Sequence, residues 1–373
     1  MGLPSTNILL LVYSLGPGGT ERQVAELALS LDPARFTPHV GAVYPNGMRA
    51  DELRAAGIPV IEVPVRSLTN GSAIKSFNIL RRYIREHNIR IVHSFDAPTN
   101  VFGPPVARLL RVPVVLTSQR CYRDLIAPKH HLLIRFSHSI ADRVIANCEA
   151  MRAHLRSDYG VFDGKIAVVY NGLDSRIFHD RRRRRMPGLE SASLVIGAVG
   201  LLREEKRLPV LLDAFAAVLP LDRAMKLALV GNGVELPRLQ KQASDLGIQD
   251  ACLFQPSTPD VADWFRSIDI FVSAARSEAF SNSLLESLAC GCCPVASRVG
   301  GNPEMVTAET GLLFEPEDVS GLAAHLETLI RNPDLRARYA SASAASVARF
   351  SVDSMARRME AIYSQAYEGS ARV

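Results

Sequence analysis

Short apolar runs recur along the whole chain, each followed by a stretch of helical periodicity, and this alternation constrains the fold more than any single motif. Residues 8–12, 39–43, 60–63, 91–93, 114–117, 144–146 and 166–169 are rich in Val and Ile and mostly apolar on both faces. Strands of that kind sit inside parallel sheets covered by helices on each side. Helical stretches such as 21–30 and 76–87 lie between them, which predicts one doubly wound sheet. The pattern pauses at Asp180–Gly188, where five consecutive arginines, Arg181 to Arg185, precede Pro187 and Gly188. Like charges repel and breakers interrupt regular structure, so residues 181–192 read as a linker. A second series follows at 194–199, 226–230, 251–254, 268–273, 294–296 and 312–314, with helices such as 209–218 and 236–246 between. From Ser320 onward the pattern is helical only. The expected fold class is α/β, with two doubly wound domains at 1–180 and 193–349 and a closing helical segment at 350–373. Ligands of such sheets bind at the carboxyl ends of the strands, so a site facing the cleft between two halves is expected.

Charge divides the chain. Residues 1–185 hold 26 Lys and Arg against 15 Asp and Glu; residues 186–373 hold 17 against 23. Eight of the nine histidines also fall in the first part. A basic half suits an anionic lipid surface or polyanionic acceptor, or is simply a solvated face. Residues 75–87 and 129–138 mix basic and apolar positions as interfacial helices do. Nucleic acid is disfavoured, because aromatic residues are only 6% and are not interleaved with basic ones. No run approaches the ~20 apolar residues that span a bilayer. The first apolar run lacks a basic segment before it and reads as a strand, not a signal peptide. The expected location is cytoplasmic, with peripheral contact at the inner membrane face. Cys290, Cys292 and Cys293 crowd together, but no second ligand pair stands at metal-binding spacing, so buried thiols are expected and no metal site.

Several turns carry chemistry. Gly16-Pro17-Gly18-Gly19-Thr20-Glu21 follows the first strand and opens the first helix, letting backbone approach a phosphate or sugar, or merely turning the chain. It lacks dinucleotide-fingerprint spacing. Arg203-Glu204-Glu205-Lys206-Arg207 follows the first strand of the second series, where Lys206 and Arg203 would neutralise a diphosphate. Gly231 closes the next strand, and Gly300-Gly301 marks another close approach. Glu278 and Glu286 flank Ala279-Phe280-Ser281-Asn282-Ser283. One carboxylate leaves a strand end, the other rides the following helix, and the helix start between them suits an anion.

This ordered series resembles glycosyltransferase family 4, retaining enzymes of the GT-B fold, from about Ile8 to about Phe350. Gly18-Gly19-Thr20-Glu21-Arg22, Val169-Tyr170-Asn171-Gly172-Leu173-Asp174, the Glu278 to Glu286 stretch, Val299 to Glu304 and Gly311-Leu312-Leu313 carry the resemblance. It implies that Glu286 binds donor ribose hydroxyls, Glu278 the transferred sugar and Lys206 the diphosphate. Phe280, Ser281, Asn282, Ser283 and Gly231 would complete the donor site, with Gly18 and Gly19 between donor and acceptor. Arg120, His93 and Asn171 fall on the acceptor side. No cofactor and no metal are implied. Two positions depart from the pattern: Leu201 stands where many members have Arg, and Arg120 where many have His. An arginine is no general base, but it binds anions.

The implied function is transfer of a sugar from a nucleotide-diphosphate sugar, a UDP-sugar first and GDP-mannose second, to a glycan or lipid-linked acceptor. Cell-surface polysaccharide or glycolipid synthesis is the setting. A sugar-nucleotide epimerase of the same fold, or an inactive nucleotide-sugar-binding subunit of an assembly complex, stand as alternatives.

Overall fold

The computed structural model describes residues 5–67, 70–181 and 185–370. The chain divides into two compact units, Met1–Gly172 with Val352–Val373, and Leu173–Ser351. The first unit contains β1 (Thr6–Ser14), β2 (Phe36–Tyr44), β3 (Val60–Glu62), β4 (Ile91–Ser94), β5 (Val114–Gln119), β6 (Arg143–Ala146) and β7 (Ile166–Val168). They form one sheet in the order β3-β2-β1-β4-β5-β6-β7, every pair parallel. β1 is apolar on both faces because both are covered. Ile8, Leu10 and Val12 join the core that includes the helices Gly19–Ser30 and Val352–Ser370. Leu9 and Leu11 join a second core with Leu80 and Val106, from the helices Gly71–Glu86 and Ala97–Leu109. Met355, Met359, Ile362 and Tyr363 thus place the last helix in the core of the first unit.

The second unit contains β8 (Val195–Val199), β9 (Lys226–Val230), β10 (Cys252–Gln255), β11 (Ile270–Ser273), β12 (Cys293–Ser297) and β13 (Leu312–Phe314). Their order is β10-β9-β8-β11-β12-β13, again all parallel. Each sheet therefore reverses direction once, between β1 and β4 and between β8 and β11. Such a switch point leaves a crevice at the strands' carboxyl ends.

The boundary between the units differs from the linker expected at 181–192. Leu173 already belongs to the second unit, pairing with Ser351 and donating its N–H to the Phe350 carbonyl at 2.8 Å. Arg185 bonds the Ser267 carbonyl and Asp269, and Leu189 is fully buried. Breakers and like charges make this stretch look solvated, whereas tertiary contacts anchor its described part from Arg185 to Leu189. Arg182, Arg183 and Arg184 of the arginine run lie outside the described residues.

Candidate active site

The turns that leave β8, β9, β11 and β12 interlock at the carboxyl ends of the second sheet's four central strands. Gly231 follows β9 with a φ of +146°, and a Cβ there would lie 1.9 Å from the Gly200 carbonyl oxygen. Only glycine permits that crossing. Gly200 N–H donates to the Val230 carbonyl and Leu202 N–H to the Asn232 carbonyl, each at 2.9 Å. At Gly300, φ is +50° and a Cβ would lie 1.7 Å from the Glu278 carbonyl oxygen. Gly301 N–H donates to the Ala279 carbonyl at 2.7 Å, and Arg276 N–H to the Glu205 carbonyl at 2.9 Å. The backbone thus ties the turn carrying Lys206 to the turn carrying Glu278.

Their side chains meet. Lys206 Nζ donates to Glu278 Oε2, and both groups are partly buried. Beside them an open pocket of about 350 Å³ lies at the ends of β8 and β11, walled by Gly200, Leu202, Lys206, Ser273, Ala275 and Ser283. Ser281 caps the helix Asn282–Ala289, its Oγ accepting the Leu284 N–H at 3.3 Å. Glu286 lies one turn further on and is buried. The site therefore combines a cation, a helix start and two carboxylates of unequal burial. A diphosphate flanked by hydroxyl-bearing rings fits that pattern.

Other expected donor residues occupy less direct places. Arg203 is exposed, with Nη1 3.9 Å from Glu205 Oε1, and Leu201 is exposed beside it. Phe280 is buried edge-on to Phe350 at 5.4 Å between centroids, so it seats the loop and does not offer a free ring face. Gly18 precedes the helix Gly19–Ser30, and a Cβ there would lie 2.1 Å from a Glu21 carboxylate oxygen. Glu21 folds back to accept the Ser14 hydroxyl at 2.6 Å, so glycine at 18 makes room for that return.

The first unit brings Arg120 and Asn171 together and withdraws His93. Arg120 Nη1 donates to Asn171 Oδ1 at 2.8 Å. His93, expected at the acceptor side, is fully buried. Its Nδ1 is 2.8 Å from the Tyr363 hydroxyl and its Nε2 2.8 Å from the Ser118 hydroxyl. Burial first, then the Arg120 charge, hold its pKa well below the ordinary value, so it is a neutral core residue. The C-terminal helix that supplies Tyr363 seals it.

Three residues escaped the sequence reading. Arg276 stands two positions before Glu278, with Nη2 3.4 Å from Glu204. Asn302, inside the Val299 to Glu304 motif but given no role of its own there, is buried, and its Oδ1 has no partner among the described residues. Asp96 caps the helix Ala97–Leu109 and accepts the Tyr13 N–H at 2.6 Å; burial raises its pKa to about 6. The spacing of Asp96 and Thr99 is a capping signal legible in the sequence. Among the described residues, no cluster of three or more His, Cys, Asp or Glu is arranged to hold a metal; Cys290, Cys292 and Cys293 are buried, and the Cys290 and Cys292 thiols lie against the Ala262 and Phe265 carbonyls.

Comparison with known proteins settles the family. Residues 180–345 match the model described as glycosyl transferases group 1, and residues 17–176 match Glycosyltransferase Family 4. The chain belongs to the group 1 glycosyltransferases. One match of this glycosyltransferase chain falls mainly in the first unit, without its C-terminal helix, and the other within the second unit. A D-inositol 3-phosphate glycosyltransferase of Thermomonospora curvata is 32% identical over 248 residues, 61% of this chain and 57% of the relative. One from Streptomyces bingchenggensis is 31% identical, covering 62% of this chain and 55% of the relative. The aligned region thus spans little more than half the length of these curated relatives. Among solved structures, Anabaena HepE in complex with UDP superposes with a TM-score of 0.82 at 21% identity, over 96% of this chain and 100% of that one. Sucrose-phosphate synthase from Thermosynechococcus elongatus gives 0.82 at 18% identity, over 98% and 100%. The fold is GT-B: two Rossmann-like parallel-sheet units with a C-terminal helix.

Proposed function

We propose that this chain transfers a sugar, with retention, from a nucleotide-diphosphate sugar to a hydroxyl of a glycan or lipid-linked acceptor. A UDP-sugar is the first choice of donor and GDP-mannose the second. The setting is cell-surface polysaccharide or glycolipid synthesis. The observation that carries the reading is the meeting of Lys206 and Glu278 beside the start of the Glu286 helix. UDP in the HepE complex and an inositol phosphate in the relatives' name are properties of those proteins that support it.

In the proposed reaction Glu286 accepts hydrogen bonds from the ribose and Glu278 from the transferred sugar. Ser281, Asn282, Ser283 and the Gly231 turn hold phosphate oxygens. The acceptor hydroxyl attacks from the face the diphosphate leaves, and the departing phosphate takes the hydroxyl proton. Lys206, with Arg203, stabilises the charge that develops, worth roughly 3–4 kcal/mol for a well-placed donor. These cations take the role that a divalent ion fills elsewhere, so no metal requirement is expected. Lys206 releases part of its bond to Glu278 as the diphosphate arrives.

Calorimetric titration with UDP, GDP and ADP tests the reading. One nucleotide should bind the wild type and be lost from Glu286→Ala; binding of none would overturn it. Sugar isomerisation without acceptor would mark an epimerase instead, and donor binding without turnover a binding subunit.

An anionic membrane surface is the proposed partner of the first unit. The helix His131–Ile140 exposes Leu132, Leu133 and Phe136, with Leu125 exposed nearby in sequence and Lys129 and Arg135 interspersed. Apolar side chains between cations suit a headgroup layer. Among the described residues no helix is long and apolar enough to cross a membrane. Vesicle flotation should require anionic lipid and weaken in Leu132→Glu; flotation indifferent to lipid charge would count against it.

A further inference from the structure

We propose that Arg120 is an oxyanion subsite that selects acceptors bearing a phosphate or carboxylate group. This rests on the transferase reading above and deepens it.

Arg120 directly follows β5, whose partner β4 lies next to β1 at the switch point of the first sheet. The register sets Ser94 opposite Thr117, so the chain leaving β4 through Phe95 runs beside the chain leaving β5 through Arg120. The guanidinium carbon lies 5.2 Å from the Phe95 ring centroid. Nη1 bonds Asn171, while Nε is buried and has no partner. No carboxylate among the described residues forms an ion pair with Arg120, and no other hydrogen bond of its side chain is present among them.

That arrangement is costly for the protein alone. Arg120 is partly buried with its Nε enclosed, and drawing a cation even partly out of water without a counter-ion costs free energy that a ring contact offsets only in part. Burial lowers the pKa only to about 10, so the charge persists at neutral pH. Its near neighbours do not cancel it. His93 is neutral, and burial pushes the Cys121 thiol up to about 12, so no thiolate forms. Asp96 exerts attraction, but its oxygens are engaged by Tyr13 and Thr99 at the helix cap. What remains open on the guanidinium fork is Nη2, which has no hydrogen-bond partner among the described residues and is not enclosed as Nε is; its N–H groups can donate to an oxygen of a carboxylate or phosphate. The hydroxyls of a neutral glycan accept hydrogen bonds from a guanidinium but bring no opposite charge. An acceptor with an anionic substituent brings that charge.

The test uses the full chain with UDP saturating, so that diphosphate-binding groups are occupied. Inorganic phosphate and, separately, acetate are titrated by calorimetry into wild type, Arg120→Gln and Arg120→Lys. Wild type should bind at least one anion. Affinity should fall at least tenfold in Arg120→Gln and partly in Arg120→Lys, which keeps charge but loses the fork, with UDP affinity unchanged in both. Preference for phosphate or for acetate identifies the acceptor's group. Thermal unfolding without anion supplies a readout that a structural role would move oppositely. Arg120→Gln should be as stable as wild type or more so, because a partly buried charge with no ion-pair partner is gone. Anion binding that is absent, or equal in wild type and Arg120→Gln, would overturn the proposal, as would a loss of several degrees in Arg120→Gln. Loss of UDP binding in the wild type would instead refute the transferase reading and leave Arg120-dependent anion binding to be judged separately.

Discussion

The first unit buries His39, His93 and His138 and holds after β5 a partly buried arginine with no ion-pair partner among the described residues, while the second puts a lysine–glutamate pair and a buried glutamate in the segments that follow β8 and β11. Both are parallel sheets with one switch point. The difference lies in the turns. In the second unit, glycines let backbone cross backbone, so the turns after β9 and β12 brace the turns after β8 and β11, which line one pocket. In the first, polar groups are drawn inward, and Arg120, partly buried, has no ion pair among the described residues. One fold plan hosts unlike chemistry because sites are built on turns, not on strands.

If the second unit carries the donor chemistry, the largest loss should follow Lys206→Ala. Steady-state assays should show kcat/KM lower by about 10²–10³, the cost of one well-placed charge donor. Turnover at the wild-type level would break the comparison at its main point. Glu286→Ala should weaken nucleotide binding by about 10- to 100-fold, as expected for charge-assisted hydrogen bonds. Calorimetry checks it, and unchanged affinity would remove Glu286 from the site.

Acid should separate the units. Burial lowers the pKa of His39 to about 4, that of His138 to about 3 and that of His93 well below its ordinary value. The unfolded chain binds protons at these groups near pH 6.5, where the folded unit does not. Their stabilising contribution is complete above pH 6.5 and is lost as pH falls towards those folded values, each with a slope of up to about 1.4 kcal/mol per pH unit. Asp96 opposes them: its pKa, raised to about 6, makes the folded unit the better proton binder below that pH. Three groups outweigh one, so the first unit should unfold first on acidification. Trp264, the single tryptophan, is buried in the second unit and reports it alone. Circular dichroism should fall at a higher pH than Trp264 fluorescence changes; coincident midpoints would contradict the contrast. The smallest effect is expected from Gly231→Ala. It forces a side chain against the Gly200 carbonyl and should cost more than about 1 kcal/mol, lowering Tm by at least about 2 °C.

The strands were legible because buried parallel strands are apolar on both faces, and all thirteen expected runs overlap observed strands. The turn from Arg203 to Arg207 and the stretch from Glu278 to Glu286 were legible because charged residues stood directly after such runs. What escaped depends on distant partners. His93 looks available until Tyr363, 270 positions later, reaches its ring. Phe280 reads as a donor-facing aromatic until Phe350 covers it. The arginine-rich stretch reads as a linker until Asp269 pairs with Arg185. Arg120 was placed by its position after β5, but its lack of a counter-ion is visible only in three dimensions.

The most direct measurement is hydrogen exchange of the full chain with and without saturating UDP, read peptide by peptide. The expected result is slower exchange in residues 200–206 and 276–286, and little change in residues 39–63 of the first unit. Protection confined to the first unit, or none anywhere despite saturating UDP, would contradict a donor site built on Lys206, Glu278 and Glu286.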